Sequence, residues 1–334
     1  MFTKTRRLTL AAAVLLAFAA AAQAEIAYTV TDLGAGNFFP TGVNNLGHVA
    51  GRISSSGYFW DGSSLQAMSA SWPGGVNDLD QVVVSGGYWD GTVHSVSGFS
   101  ANDINNSGLL AGAHNSVASV YDLGTGLFND LGALPGNTNS TAKLVNASGQ
   151  VAGWSWTTWG TFRSFLYTPG SGMVEVGFLP GGNSTMVYGM NASGVVVGGA
   201  KDADGHGHPF LYTAGSGMVA LPSNVGSYVI ADAMDVDASG VVVAGGTAPG
   251  GDVHGFVYRG GAWTDLNSLI DPALGITISN VFVTSDVGHV ACWGTVGGVN
   301  HAYLLAPVPE PSTVVLLACG LMGLAVYAWR RRRV

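Results

Sequence analysis

The nine residues VNNLGHVAG at Val43–Gly51 return along the chain, and this self-similarity limits the fold more than any other feature. Copies read INNSGLLAG from Ile104, VNASGQVAG from Val145, MNASGVVVG from Met190 and VDASGVVVAG from Val236. Degenerate copies, VNDLDQVVVSG from Val76 and VTSDVGHVACWG from Val283, bring the number to seven. Each reads as a strand, a tight turn and a second strand. Asn or Asp bonds nearby backbone in a turn, Gly supplies positive φ without a Cβ clash, and Val continues along the next strand.

Two further motifs follow each copy. One is aromatic: Tyr58-Phe59-Trp60, Tyr88-Trp89, Val120-Tyr121, Phe165-Leu166-Tyr167, Phe210-Leu211-Tyr212, Phe256-Val257-Tyr258 and Ala302-Tyr303-Leu304. The other is DLG-like, clearest at Asp130-Leu131-Gly132 and Val176-Gly177-Phe178. Four short strands in roughly 40 residues are what one blade of a β-propeller requires. The chain opens on a DLG strand, Thr31-Asp32-Leu33-Gly34, with no aromatic strand before it, and the last aromatic strand, His301–Leu305, has no DLG strand after it. Joining the two completes a blade and removes free sheet edges. The predicted fold is all-β, a propeller of about seven blades closed by N- and C-terminal strands; six or eight blades, or an open β-solenoid, are the alternatives. Gly supplies 51 of 334 residues, which suits many tight turns.

The two ends are different in kind. Residues 1–24 read as a signal peptide: Lys4, Arg6 and Arg7, an apolar run, then Ala22-Gln23-Ala24 as the cleavage site. Residues 25–306 form the repeat ectodomain, 307–312 a linker, 313–329 an uncharged stretch just long enough to span a bilayer, and 330–334 a basic tail held on the cytoplasmic side. Val308-Pro309-Glu310-Pro311-Ser312, the apolar stretch and Arg330, Arg331, Arg332 and Arg333 together resemble the PEP-CTERM sorting signal of Gram-negative bacteria. The resemblance implies export, an exosortase-type processing protease as partner, and an inner-membrane-anchored intermediate that becomes cell-surface or extracellular protein. The repeats resemble the bacterial extracellular HAF type, whose His-Ala-Phe strand start reads here His208-Pro209-Phe210, His254-Gly255-Phe256 and His301-Ala302-Tyr303. That family brings no catalytic residues with it.

Charge narrows the partners. Residues 25–306 hold five basic and nineteen acidic residues, a net charge near −14, which excludes the basic surface that nucleic acid requires. Cys292 has no second cysteine in that range, so no disulfide staples the ring. Gly-x-Ser-x-Gly, His-Glu-x-x-His and Cys-x-x-Cys are absent, and the glutamates Glu25, Glu175 and Glu310 cannot pair inside the repeats for glycoside hydrolysis.

Three clusters remain as site candidates. Trp154, Trp156 and Trp159 offer flat apolar faces of the kind that stack on sugar rings, and equally could pack one blade on the next. Asp202, Asp204 and His206 share a Gly-bearing loop that could hold Ca²⁺, though it lacks the bidentate Glu of an EF-hand and reads first as a solvated hairpin. Asp232, Asp235 and Asp237 could line a channel. No catalytic residue and no required cofactor follow from the sequence. It points to a non-enzymatic surface protein that binds exopolysaccharide or matrix partners, in a biofilm setting. A glycan hydrolase or lyase on the same scaffold and a purely structural matrix protein are the alternatives.

Overall fold

A computed structural model of the chain describes residues 28–158 and 160–308. The described residues form seven antiparallel sheets and no α-helix; two 3₁₀ turns, Leu266–Ser268 and Pro272–Leu274, are the only helical elements among them. The chain is a seven-bladed β-propeller, with blades at 38–71, 73–95, 99–132, 139–175, 185–220, 224–265 and 276–307. The seventh sheet runs, in spatial order, Tyr28–Ala35, Val299–Pro307, Val290–Val296 and Ile276–Thr284, so the first strand of the chain completes the last blade. The broken ends of the repeat therefore join as expected, and the solenoid alternative falls away. Val30–Ala306 forms one compact unit.

Each motif has a place in a blade. The innermost strand ends at the Asn turn, the second strand carries the valines, the third the aromatic residue, and the fourth the DLG element. The third-strand aromatics Phe165, Phe210, Phe256 and Tyr303 are fully buried. Six apolar clusters are each shared by two neighbouring blades; Ala118 of blade 3 and Leu134 just after it, for example, pack with Val151 and Phe165 of blade 4. Burial of this kind holds the blades side by side.

Pairs of a basic side chain and a carboxylate lace the third and fourth strands. His254 Nδ1 lies 2.6 Å from Asp265 Oδ2, and His301 Nδ1 lies 2.7 Å from Asp32 Oδ2 across the ring closure. In blade 4 Arg163 and Glu175 form a two-pronged pair in the same position. The His of the aromatic motif and the Asp of the DLG motif thus recur together because they meet.

Two blades depart from the pattern. In blade 2 the innermost strand shrinks to Pro73–Val76, held by Gly74 N–H donating to Val83 O (2.8 Å) and Val83 N–H to Gly75 O (2.9 Å). In blade 6 the inner edge is broken into short pieces, Asn224–Val225, Tyr228–Val229 and Asp235–Val236. The predicted signal peptide, membrane segment and basic tail lie outside the described residues, and no helix among the described residues is long and apolar enough to cross a membrane.

Candidate functional site

The site is built from the Asn turns outward. In each well-formed copy the turn residue's side-chain oxygen accepts the N–H groups two and four residues on: Asn146 Oδ1 takes Ser148 N–H (3.1 Å) and Gln150 N–H (3.0 Å). Gly149 supplies the left-handed φ of 74° that closes the turn. Blade 2 has Asp80 at that position, φ 58°, and its carboxylate compensates by accepting from Asn44 Nδ2 (3.0 Å) and meeting His48 Nδ1 (2.8 Å).

The amide nitrogen of the same Asn does something else. Asn44 Nδ2 donates to Asn77 O, Asn77 Nδ2 to Asn105 O, Asn105 Nδ2 to Asn146 O, Asn146 Nδ2 to Asn191 O and Asn191 Nδ2 to Asp237 O, at 2.9–3.2 Å. These buried bonds run from blade 1 to blade 6 as a circular relay. It stops at Asp237, which has no side-chain N–H; there Ala238 N–H donates to Asp286 O instead (3.1 Å). Val287 N–H then reaches Asn45 Oδ1 (3.3 Å) and closes the circle.

Inside this frame lies a channel of about 830 Å³. The innermost strands carry β-bulges, and the extra residue of the bulge, three positions before the turn residue, projects toward the axis. Those residues are Thr41, Asn102, Lys143, Tyr188 and Phe282, and all five line the channel. The wall therefore has a polar arc on blades 1, 3 and 4 and an aromatic arc on blades 5 and 7. Lys143 Nζ donates to Asn102 Oδ1 (2.9 Å) and sits 5.2 Å over the Trp154 ring. Burial lowers the Lys143 pKa, and the Asp103 carboxylate opposes that shift. Burial pushes the Tyr188 hydroxyl up to about 12.

Two channel carboxylates act as staples between blades. Asp103 accepts Ile104 N–H and Val145 N–H of blade 4, both at 2.9 Å. Asp235 accepts Val236 N–H (2.8 Å) and Thr284 N–H of blade 7 (2.9 Å). Enclosure raises both pKa values, that of Asp103 to about 6 and that of Asp235 to about 8, despite bonds that favour the charged form. The preceding blade makes room with glycine: a Cβ on Gly75 would lie 1.9 Å from Asp103 Oδ1, and one on Gly189 2.4 Å from Asp235 Oδ1.

The candidates from the sequence are dispersed. Trp154 backs the channel wall: its indole N–H donates to Val187 O of blade 5 (3.1 Å), and its ring packs on Phe162 and Tyr188. Trp156 lies farther along the same strand, edge-on to Phe162, and Trp159 lies outside the described residues. Asp235 lines the channel, whereas Asp237 is a turn residue. The ligand atoms of Asp202, Asp204 and His206 lie within 4.8 Å of one another. Asp202 Oδ1, however, accepts Asp204 and His206 N–H (2.9 Å each), and Oδ2 meets His208 Nε2 (2.8 Å), which leads the contacts holding its carboxyl down at about 2. Lys143, Asn102, Tyr188 and Phe282 were not singled out by sequence reasoning. Their signal was positional, three residues before each turn Asn.

Residues 307–333 match the PEP-CTERM protein-sorting motif. The chain is therefore an exported, membrane-processed protein built on a β-propeller, and the motif implies exosortase-type processing. Comparison with curated proteins finds no significant match in sequence. Among solved structures, the extracellular domain of a B. thetaiotaomicron protein described as a hybrid two component system is 11% identical, with a TM-score of 0.50 over 86% of this chain and 40% of that one. A gluconolactonase from Xanthomonas campestris is 9% identical, with a TM-score of 0.46 over 84% of this chain and 90% of that one. The first likeness shows the propeller fold alone.

Proposed function

We propose that this chain is a non-enzymatic surface propeller of a Gram-negative cell envelope or biofilm matrix, which holds a neutral glycan segment at its channel. One observation carries the reading. The turn Asn recurs in blades 1 to 5, while the bulge residue facing the axis changes from Thr to Asn, Lys, Tyr and Phe. A polar arc of amide, hydroxyl and ammonium groups opposite two aromatic rings suits a sugar, which presents hydroxyl edges and apolar faces. Trp154 supports that wall from behind, and Trp156 follows it along the same strand as a further stacking surface; Trp159 is proposed as a third from the sequence alone. The HAF-type assignment of the repeats accords with the His–Asp pairs of blades 6 and 7. A Ca²⁺ ion at Asp202, Asp204 and His206 is not required by this reading.

The test is binding of the protein to exopolysaccharide from its host, measured by calorimetry or glycan array. Lys143→Ala, Tyr188→Ala and Phe282→Ala should each weaken binding about tenfold or more, and Val174→Ser, on an outer strand, should not. Equal affinity for all four variants would remove the channel from the function. A hydrolase reading draws on Asp103 and Asp235 sharing one channel, but each carboxylate is already held by one backbone donor of its own blade and one of the next. Release of reducing ends from that polysaccharide, abolished in Asp235→Asn, would favour it.

A further inference from the structure

At the third position of the Asn turn, blades 3, 4, 5 and 6 carry Ser107, Ser148, Ser193 and Ser239. Blades 7, 1 and 2 carry Val287, Leu46 and Leu79 instead, and these side chains are 54%, 59% and 66% exposed. The three blades are consecutive around the ring. Their turns are also tied to one another: Val287 N–H donates to Asn45 Oδ1 (3.3 Å), and Asn45 N–H and Nδ2 donate to Asp78 (2.8 and 2.9 Å). An apolar arc is thus held rigidly on one sector of one face, where the other four blades keep a hydroxyl. Isolated exposed apolar side chains need no explanation, but three at one repeat position in three adjacent blades do.

The course of the chain says what lies near that face. Leu305 pairs with Val290, immediately after the blade-7 turn, so the last strand ends on the face that bears the arc and in the same sector. Residues 307–312 separate Ala306 from the apolar stretch that begins at Thr313; six extended residues reach roughly 20 Å. With the sorting segment in the membrane, the arc is never far from lipid headgroups. A weak apolar contact then gains from the high local concentration that a short tether imposes. Asp78 and Asp286 occupy the second turn position on the same face, which disfavours an anionic surface and selects a zwitterionic one.

We propose that Val287, Leu46 and Leu79 form a lipid-resting surface, which seats the ring on the interface of a zwitterionic bilayer while its C-terminal segment is still uncut. This inference rests on the membrane-processed reading of residues 307–333 and adds an orientation to it. The opposite face, which bears the end of the strand Val151–Trp156 and the loop 201–207, is left open to the exterior.

The full chain, reconstituted in phosphatidylcholine vesicles, is to be footprinted with hydroxyl radicals before and after the tail is cut at a protease site inserted between Val308 and Pro309. Oxidation of Leu46, Leu79 and Val287 should rise at least about threefold on cutting. Val174 and Val219, exposed on outer strands, should not change. Flotation of the uncut protein with vesicles but equal oxidation before and after the cut would overturn the lipid-resting surface and leave the tail reading intact. Failure of the uncut protein to float would overturn the tail reading and this inference with it. Protection that arises only in native membranes, never in pure lipid, would replace lipid by a membrane protein as the occupant.

Discussion

Asn146 and Asp237 close the same turn with the same side-chain oxygen, yet only Asn146 keeps hydrogens for the next blade. Asn146→Asp should therefore leave the turn in place and remove the inter-blade donor to Asn191 O, which keeps the Gly194 N–H (3.0 Å), at a cost of about 1 kcal/mol in urea unfolding. The reverse change, Asp237→Asn, adds a donor where the relay stops and should raise the denaturation midpoint. A second expectation concerns Asp235, whose pKa in the folded ring is about 8. The unfolded chain loses that proton near pH 4, so between about pH 4 and 8 the folded state holds more protons and stability declines as pH rises. Asp103 adds to the decline up to about pH 6. Thermal midpoints measured across this window should fall, and Asp235→Asn should flatten the slope whatever it does to absolute stability. The turn role of Asn was legible in the sequence. The relay was not, because each donor's partner lies in the neighbouring blade.

Within a blade the decisive element is the innermost strand. Its bulge turns one residue into the channel, and the next position must accommodate a staple from the adjacent strand. Gly189→Ala would drive a Cβ into Asp235 at both its carboxylate and its Cα, and should destabilise the ring by about 1–3 kcal/mol. In an Asp103→Ala background, Gly75→Ala should cost clearly less than in the native chain, a coupling that a double-mutant cycle measures directly. The candidate site was hardly visible in the sequence for a physical reason. A strand pattern of period two assigns faces by alternation, and a bulge inserts one residue that breaks the alternation. Lys143 and Tyr188 therefore read as irregularities within a repeat. Trp154 was legible as a surface for stacking, and the fold turns it behind Lys143.

For the whole molecule, closure depends on Tyr28–Ala35. Without it the strand Val299–Pro307 presents an unpaired edge, and His301 loses Asp32. Deletion of residues 28–35 should produce aggregates or swapped oligomers that the intact chain does not form, which light scattering after gel filtration would register. The number of blades and the manner of closure were readable because the two incomplete ends of the repeat complement each other. The irregular blades 2 and 6 were less so: Val82–Val84, Gly87–Trp89 and Val93–Ser95 are too short to show alternation.

The closing blade also fixes an order of events in time. A strand made first must wait, unpaired, until some 270 further residues have emerged, since Asp32 and His301 are 269 positions apart. In an exported chain of this design the strand that lets the ring close, Val299–Pro307, is followed directly by the sorting segment. The means to complete the ring and the signal for processing are thereby neighbours in the order of synthesis. A chain truncated before Val299 lacks both the closing strand and the sorting segment, so the address is carried only by molecules that have the means to close.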